Sequence, residues 1–392
     1  MSRRTITSVL LIAPLGIFLL VNFLAPIALM LSRAVTEREL PEAWPATAEA
    51  MRHWDGNGLP DDDIVATFVQ ELAASRASGS LGVVANRLNH SIPGMRTLLF
   101  NTARALPLPR EQSPLQALAA VDERWTQQET WAAIRQAAGP FTSFYLLAAL
   151  DRRVSADGEI VRVPDEQAVF IDLFLRTFQI SAVVTVLCVL LGYPVAYLLA
   201  TLPDRLANPL LILVLLPFWT SVLVRTAAWM VLLQEQGAIN GALLASGLVD
   251  GPLQLIYNRT GVYIAMTHVL LPYFVLPLRG VMKSIPPATM RAALSLGATP
   301  MRAFWKVYVP QTLPGVTAGA LIVFILALGY YITPALVGGA DDQMISYFIA
   351  FYTSQSLNWG MAAALSLVLL VATLALVTLY GRTAGLRQLA LR

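Results

Sequence analysis

Pro287-Ala-Thr-Met-Arg-Ala-Ala-Leu-Ser-Leu-Gly-Ala-Thr-Pro-Met-Arg-Ala-Phe-Trp-Lys-Val-Tyr-Val-Pro310 is a polar stretch between two long apolar runs. It contains Lys306, and Lys283 stands just before it; the chain has no other lysine. Pro286 and Pro287 suit the first turn of a helix, where a missing N–H costs nothing. Ala288–Leu296 is rich in good helix formers, and Gly297 fits the position after a helix where a left-handed residue is needed. Ala298-Thr-Pro300 then turns the chain, and Met301–Tyr308 is expected to form a second helix that ends before Pro310. Ala292 and Ala293 are small enough to let another protein approach closely. A polar helix–turn–helix between apolar runs is a grip for a partner.

The runs on either side are long enough to cross a bilayer. The chain has 392 residues, 56% hydrophobic and 13% charged, and its mean hydropathy is +0.62. Soluble domains carry roughly 25% charged residues, so the composition is that of a polytopic membrane protein. The pI near 9.1 does not signal nucleic acid, because the basic residues are not gathered into one patch. The single cysteine, Cys188, lies in an apolar run and reads as buried and inert; it excludes a disulfide framework.

A spanning helix needs ~20 mostly apolar residues. Six stretches qualify, which makes the expected fold all-α: Val9–Leu31, Ile171–Ala200, Leu210–Leu233, Val262–Met282, Val316–Ala335 and Gly360–Tyr380. The first is longer than a signal-peptide core and reads as an uncleaved span. With both termini cytoplasmic, the inner segments hold Arg3, Arg4, Arg205, Lys283, Arg291, Arg302, Lys306, Arg382, Arg387 and Arg392 against Asp204 alone. That asymmetry sets the orientation and places the opening stretch in the cytoplasm. The expected organisation is residues 1–33 as N-terminus and first span, 34–168 as an extracytoplasmic insert, 169–382 as a five-helix core with a cytoplasmic loop at 283–313, and 383–392 as a tail. Prolines at 14, 26, 194, 217, 272, 277 and 334 interrupt most spans. They fit simple kinks or helices bent around a central pathway.

The insert, with 13 arginines against 18 acids between Arg33 and Ala168, is long enough to fold by itself. Asp61–Ala74 places Ile64, Val65, Phe68, Val69 and Leu72 on one helical face. Gln112–Ala138, with Trp125 and Trp131, reads as helix, and Val154–Val161 as a hairpin around Asp157-Gly158. The insert is either a docking surface for a binding protein or sister subunit, or a stabilising elaboration. His53 and His90 lack ligand-like spacing and read as surface or capping residues.

Within the quoted stretch, Ala292, Ala293, Gly297, Val307, Val309 and Pro310 fall on the signature positions of the permeases of binding-protein-dependent ABC importers, with Arg291 where those carry glutamate. From about Asp172 to Arg382 the chain resembles the spermidine/putrescine group. The resemblance is carried by Pro217-Phe-Trp-Thr-Ser-Val-Leu-Val-Arg225, Gly237-Ala-Ile-Asn240, Leu248-Val-Asp-Gly-Pro252, Leu270-Leu-Pro-Tyr-Phe-Val-Leu-Pro277 and Pro334-Ala-Leu-Val-Gly-Gly339. The resemblance implies a permease subunit in the bacterial inner membrane that assembles with two ATP-binding subunits, a sister permease and a periplasmic solute-binding protein. It assigns Arg291, Ala292, Ala293, Gly297, Val307 and Pro310 to the loop that docks on an ATPase. The long insert departs from that group.

Phosphate chemistry is not expected here. A Walker A loop needs two glycines before Lys-Ser/Thr, and the one such pair, Lys283-Ser284, lacks both. No cofactor, metal or nucleic acid is implied. Candidate pathway residues are Arg225, ~22 Å up a straight third span at ~1.5 Å per residue, with Trp219, Tyr273 and Tyr330. Arg225 fits either a gate contacting a solute carboxylate or an anchor paired with an acid or carbonyl on the sister permease. His268 reads as a hydrogen-bonded packing residue, Trp229 and Tyr263 as interface anchors, and Asp172 with Arg176 as a helix ion pair. No acid lies deep in a span; Asp250 and Asp341-Asp342 lie in outer loops, where they attract cations or are solvated. The solute class is a polyamine, an opine, an amino-acid derivative or another small polar compound. The competing reading, a stand-alone secondary transporter, predicts inverted repeats and buried acid relays, and neither is visible.

Overall fold

The computed structural model describes residues 3–109, 111–155 and 158–389. Contacts divide the chain into two units: Met1–Val169 with Tyr352–Val368, and Phe170–Phe351 with Leu369–Arg392.

In the first unit, α1 (Arg3–Leu19) and α2 (Ala25–Ser32) are joined through a π-turn at Leu20–Leu24 into a first candidate span. Its side chains from Leu11 onward are largely exposed. The insert continues as α3 (Glu39–Ala43), α4 (Pro45–His53), α5 (Asp62–Ser78), α6 (Leu81–Ser91), α7 (Met95–Ala105), α8 (Pro114–Val121), α9 (Gln128–Ala137) and α10 (Phe144–Ala148). The face expected on α5 is there, with Val65, Phe68 and Leu72 fully buried. Phe68 is ringed by Trp44, Trp125 and Trp131 at centroid distances of 5.0–5.4 Å. The Trp125 and Trp131 indoles keep their hydrogen bonds on burial: Trp125 Nε1 donates to Thr102 Oγ1 at 2.9 Å, and Trp131 Nε1 to the Trp125 carbonyl at 2.8 Å.

Gln112–Ala138 is not one helix. Asp122 ends α8, and its carboxylate accepts from the Arg124 N–H at 3.0 Å and pairs with the Arg124 guanidinium at 2.8 Å. An Asp that bonds its own backbone two residues on favours a turn over a continued helix. The break seats both tryptophans in one core. Strands β1 (Arg152–Val154) and β2 (Ile160–Arg162) pair antiparallel, as the expected hairpin requires, with Gly158 at φ +84°; Asp157 lies outside the described residues.

The second unit is built on α11 (Phe170–Thr201), α15 (Arg259–Ser284) and α18 (Val309–Leu328), with α12 (Asp204–Leu215), α13 (Val222–Leu233), α14 (Ala238–Ala245), α16 (Pro287–Ser295), α17 (Pro300–Ala303) and α19 (Ile332–Val337) between them or following them. Helix α20 (Ile345–Ser354) and helix α21 (Trp359–Leu389) complete the chain. Among the described residues five helices are long and apolar enough to cross a membrane, and six if one bent pair counts as a span.

Small residues let the three central helices approach. Phe274 of α15 is fully buried, and a Cβ at Gly192 of α11 would lie 2.5 Å from its ring. A Cβ at Gly319 of α18 would lie 2.9 Å from both its ring and its carbonyl oxygen. Gly315, one turn earlier, sits against Val281 and Leu278, where an added Cβ would come within 3.0–3.1 Å of both. This glycine pair spaced by four is how membrane helices pack closely without a hydrophobic driving force. Tyr193 and Thr312 add a 3.1 Å hydrogen bond between α11 and α18. Cys188 is buried, as expected, with Sγ 3.7 Å from the Thr267 carbonyl.

Three expectations change. The third span is not straight: Asp204–Trp219 and Val222–Ala245 meet at 103°. A 3-10 turn at Leu216–Trp219 carries Pro217, and Ser221 caps α13 by accepting from the Val224 N–H at 3.2 Å. The fifth span ends at Leu328 rather than Ala335, and Ile332–Val337 is a separate short helix. Met301–Tyr308 is not a helix closed off by Pro310. It is the start of the fifth span, which runs from Pro300 to Leu328. A π-turn at Phe304–Tyr308 lets the Val309 N–H reach back to the Phe304 carbonyl. That wider turn admits the ring and missing N–H of Pro310 without a break.

Candidate coupling surface and pathway residues

The quoted stretch is held at both ends and open in its middle. Ile285, Met290 and Phe304 pack on the core that includes Tyr308. Tyr197 at the end of α11 meets Phe304 and Tyr308 edge-on, each at 5.5 Å, and those two rings stack at 5.7 Å. Gly297 has φ +87° and closes α16: its N–H donates to the Leu294 carbonyl at 3.0 Å, and the Ala298 N–H to the Ala293 carbonyl at 3.1 Å. These two bonds form a Schellman ending, which needs a left-handed residue. Thr299 caps the next helix, accepting from the Arg302 N–H at 3.4 Å.

Arg291, Ala292 and Gly297 are exposed; Ala293, Val307 and Pro310 are half-buried. Arg291, Ala292, Ala293 and Gly297 lie on α16 and its ending, whereas Val307 lies in the π-turn and Pro310 in the first turn of α18. Sequence reasoning missed the apolar members of this surface. Leu296 is 88% exposed, Met301 67% and Trp305 61%, with Leu294 also exposed. Large apolar side chains in a loop otherwise marked by cations were the available signal. Arg291, Arg302 and Lys306 are exposed in the same segment, so its exposed side chains are large apolar groups and cations.

The bend in the third span organises the second group. Arg225 is half-buried, and its guanidinium donates to the Thr220 carbonyl at 2.8 Å and to Thr220 Oγ1 at 3.2 Å. It thus satisfies a carbonyl freed where the helix is interrupted, and the partner is in its own chain. With the axis turned, the axial rise of a straight span no longer measures its height. Phe218 packs against Tyr273 at 4.8 Å. Tyr330 is half-buried and packs on the central core of this unit. Trp219 is 71% exposed beside the bend. His268 is hydrogen-bonded: its Nδ1 accepts from Trp229 Nε1 at 3.2 Å. Thr226 and Thr333 share a 3.0 Å bond.

At the ends of the spans, Lys283 pairs with Asp204 at 3.0 Å. Arg279, overlooked in the sequence, donates to the Leu199 carbonyl at 3.3 Å. Asp342 is buried; it pairs with Arg259 at 2.9 Å and accepts from the Gly339 N–H at 3.0 Å. It is a structural acid rather than one free to attract cations. Among the described residues no ion pair joins Asp172 to Arg176. His53 contacts Glu49 on the surface of the insert.

A polytopic α-helical membrane protein with an exposed apolar and basic segment between two spans is the class these features define. The chain belongs to the family of binding-protein-dependent transport system inner membrane components, whose pattern matches residues 188–383. It is therefore a permease of the ABC-importer type, multi-pass in the inner membrane. The spermidine/putrescine transport system permease protein PotB of Salmonella typhimurium is 31% identical over 217 residues, covering 55% of this chain and 76% of that protein. The molybdenum transport system permease protein ModB of Mycobacterium bovis is 32% identical over 198 residues, covering 50% and 73%. A crystal structure of a bacterial alginate ABC transporter, in complex with an alginate pentasaccharide-bound periplasmic protein, aligns with a TM-score of 0.46 at 17% identity, covering 55% of this chain and 78% of that one.

Proposed function

We propose that this chain forms half of the translocation pathway of an ATP-driven importer for a small polar solute. A sister permease forms the other half, two ATP-binding subunits supply the hydrolysis, and a periplasmic binding protein delivers the solute. The observation that carries this reading is the surface around Gly297. Leu294, Leu296, Met301 and Trp305 are too large and apolar to face water without purpose, and Arg291, Arg302 and Lys306 are exposed in the same segment. A groove on an ATPase with an apolar floor and acidic edges is complementary. Arg291 then pairs with an acid on the ATPase.

The cations of the short loops support cytoplasmic termini and an extracytoplasmic stretch at 34–168. The solute class we favour is a small amine: a polyamine, or an opine or amino-acid derivative whose carboxylate meets Arg225. Aromatic faces at Trp219, Tyr273 and Tyr330 suit an ammonium group. PotB supports the amine, whereas ModB, at similar identity, is a permease for molybdenum transport.

Reconstitution of the assembled complex in proteoliposomes tests the proposal. Uptake of spermidine or γ-aminobutyrate is expected only with binding protein outside and ATP at the ATPase face. Uptake that persists without ATP, or a purified chain with no ATPase partner, would instead support a stand-alone secondary transporter.

A further inference from the structure

The end of the first candidate span and the start of the last helix border a cavity of about 390 Å³ within the first unit, in the size range of small-ligand sites. Its wall is divided by chemistry. Leu29 and Met30 form an apolar side, and Leu29 is 69% exposed at the end of the first candidate span. Trp359, in the first turn of α21, is half exposed, at the kind of position where tryptophan marks the boundary of hydrocarbon and water. Asn358 caps that helix, accepting from the Met361 N–H at 3.0 Å. The cavity therefore opens where acyl chains give way to headgroups.

The other side is charged with both signs. Arg33 and Arg38 line it and are exposed, and among the described residues neither has an acidic partner within salt-bridge distance. Glu37 is buried and already paired with buried Arg87, which also lies over the Phe144 and Tyr145 rings at 4.6 and 5.2 Å. Glu39 sits beside Glu37. Lost hydration first, and then the Glu37 charge, hold its carboxyl above the usual range. A nearby cation would be welcomed there. Thr36 Oγ1, also in the wall, is buried and has no hydrogen-bond partner among the described residues.

A ligand matching this wall needs an apolar tail, an anion for two unpaired guanidinia and a cation for the exposed Glu39 carboxylate. Free phosphate lacks the tail and the cation, and a polyamine lacks the anion. We propose that the cavity binds a zwitterionic amino-phospholipid, with its phosphate at Arg33 and Arg38, its ammonium at Glu39, and its first acyl carbons along Leu29 and Met30.

The test uses the full chain in nanodiscs of phosphatidylethanolamine and phosphatidylglycerol in equal parts, with retained lipid read by native mass spectrometry. The wild-type chain is expected to retain phosphatidylethanolamine preferentially. R33Q/R38Q should lower that retention about tenfold, the scale of one charge-assisted hydrogen bond. Both arginines are exposed, so the thermal transition should not move. E39Q should keep retention but lose the preference for the amine lipid. Unchanged retention in R33Q/R38Q overturns the proposal. So does inorganic phosphate competing away the bound lipid, or a photo-crosslinker at position 359 that captures a sister-permease segment instead of lipid.

Discussion

Replacing Gly297 separates backbone geometry from everything else at the coupling surface. A Cβ there would meet nothing within 4 Å, so Gly297→Ala introduces no clash. Its cost is the left-handed conformation at φ +87°, about 1–2 kcal/mol for a residue with a side chain. Gly297→Pro goes further. Its ring fixes φ near −65°, so the turn cannot form, and the bond from this N–H to the Leu294 carbonyl at 3.0 Å is lost, about 0.5–1.5 kcal/mol more. About two kcal/mol changes a population ratio roughly thirtyfold. Capture of the ATPase subunits by the detergent-purified chain should therefore fall modestly for Ala and collapse for Pro, while membrane insertion is unchanged. Gly247→Ala is the matched control. Gly247 also has a positive φ, +69°, with open space around it, but it lies in the loop after α14. The same backbone strain there should leave ATPase capture intact. Equal capture by wild type and Gly297→Pro, or equal loss in Gly247→Ala, would refute the assignment of this turn to docking.

Gly319→Leu should lower the thermal midpoint of the chain by the equivalent of about 1–3 kcal/mol, because its side chain must displace Phe274, whose ring lies 2.9 Å from the added Cβ; an unchanged midpoint would contradict the close packing of α15 on α18. Arg225→Lys replaces a guanidinium that serves both Thr220 oxygens with a point donor, so transport should fall several-fold with ATPase capture unaffected, and equal uptake would remove Arg225 from the pathway. Burial first, and then the Arg87 charge, hold the His90 pKa below 6.5. The unfolded chain thus takes up this proton more readily, so the contribution of His90 to stability is full above pH 6.5 and declines as pH falls toward the lower folded value; H90Q should flatten that part of a melting-versus-pH curve, and an identical slope would show that His90 does not titrate there.

The straight spans were legible because length and apolarity alone define them. Hydropathy averages over a window and so ran through the third span, although Pro217 followed by Thr220-Ser221 was a visible stop and cap. Pro310 misled in the opposite sense: a proline ends an α-helix only when its neighbours keep the four-residue repeat, and the π-turn at Phe304–Tyr308 does not. In the insert, Asp122 carried a capping signal that an alanine-rich run concealed. Gly297 was legible because a helix ending makes a local demand. The partner of Arg225 was five residues away but hidden by the assumption of a straight helix, while the bond from Trp229 to His268 joins residues 39 apart and needed the fold. The exposed Leu296, Met301 and Trp305 were readable as residues, but their shared surface was not.

The π-turn makes the two arms of the 287–310 segment mechanically unlike. On one side α16 hangs between Pro286 and Gly297, two points where the helical repeat is interrupted, and behaves as a link between pivots. On the other, α17 is continuous with the fifth span through 29 residues, a rod ~43 Å long at ~1.5 Å per residue. A push on α16 is absorbed as tilt of a short strut. The same push at Trp305 turns the whole rod, and with it the Gly315–Gly319 seam that grips Phe274. Whatever presses on this surface therefore has one compliant contact and one stiff lever.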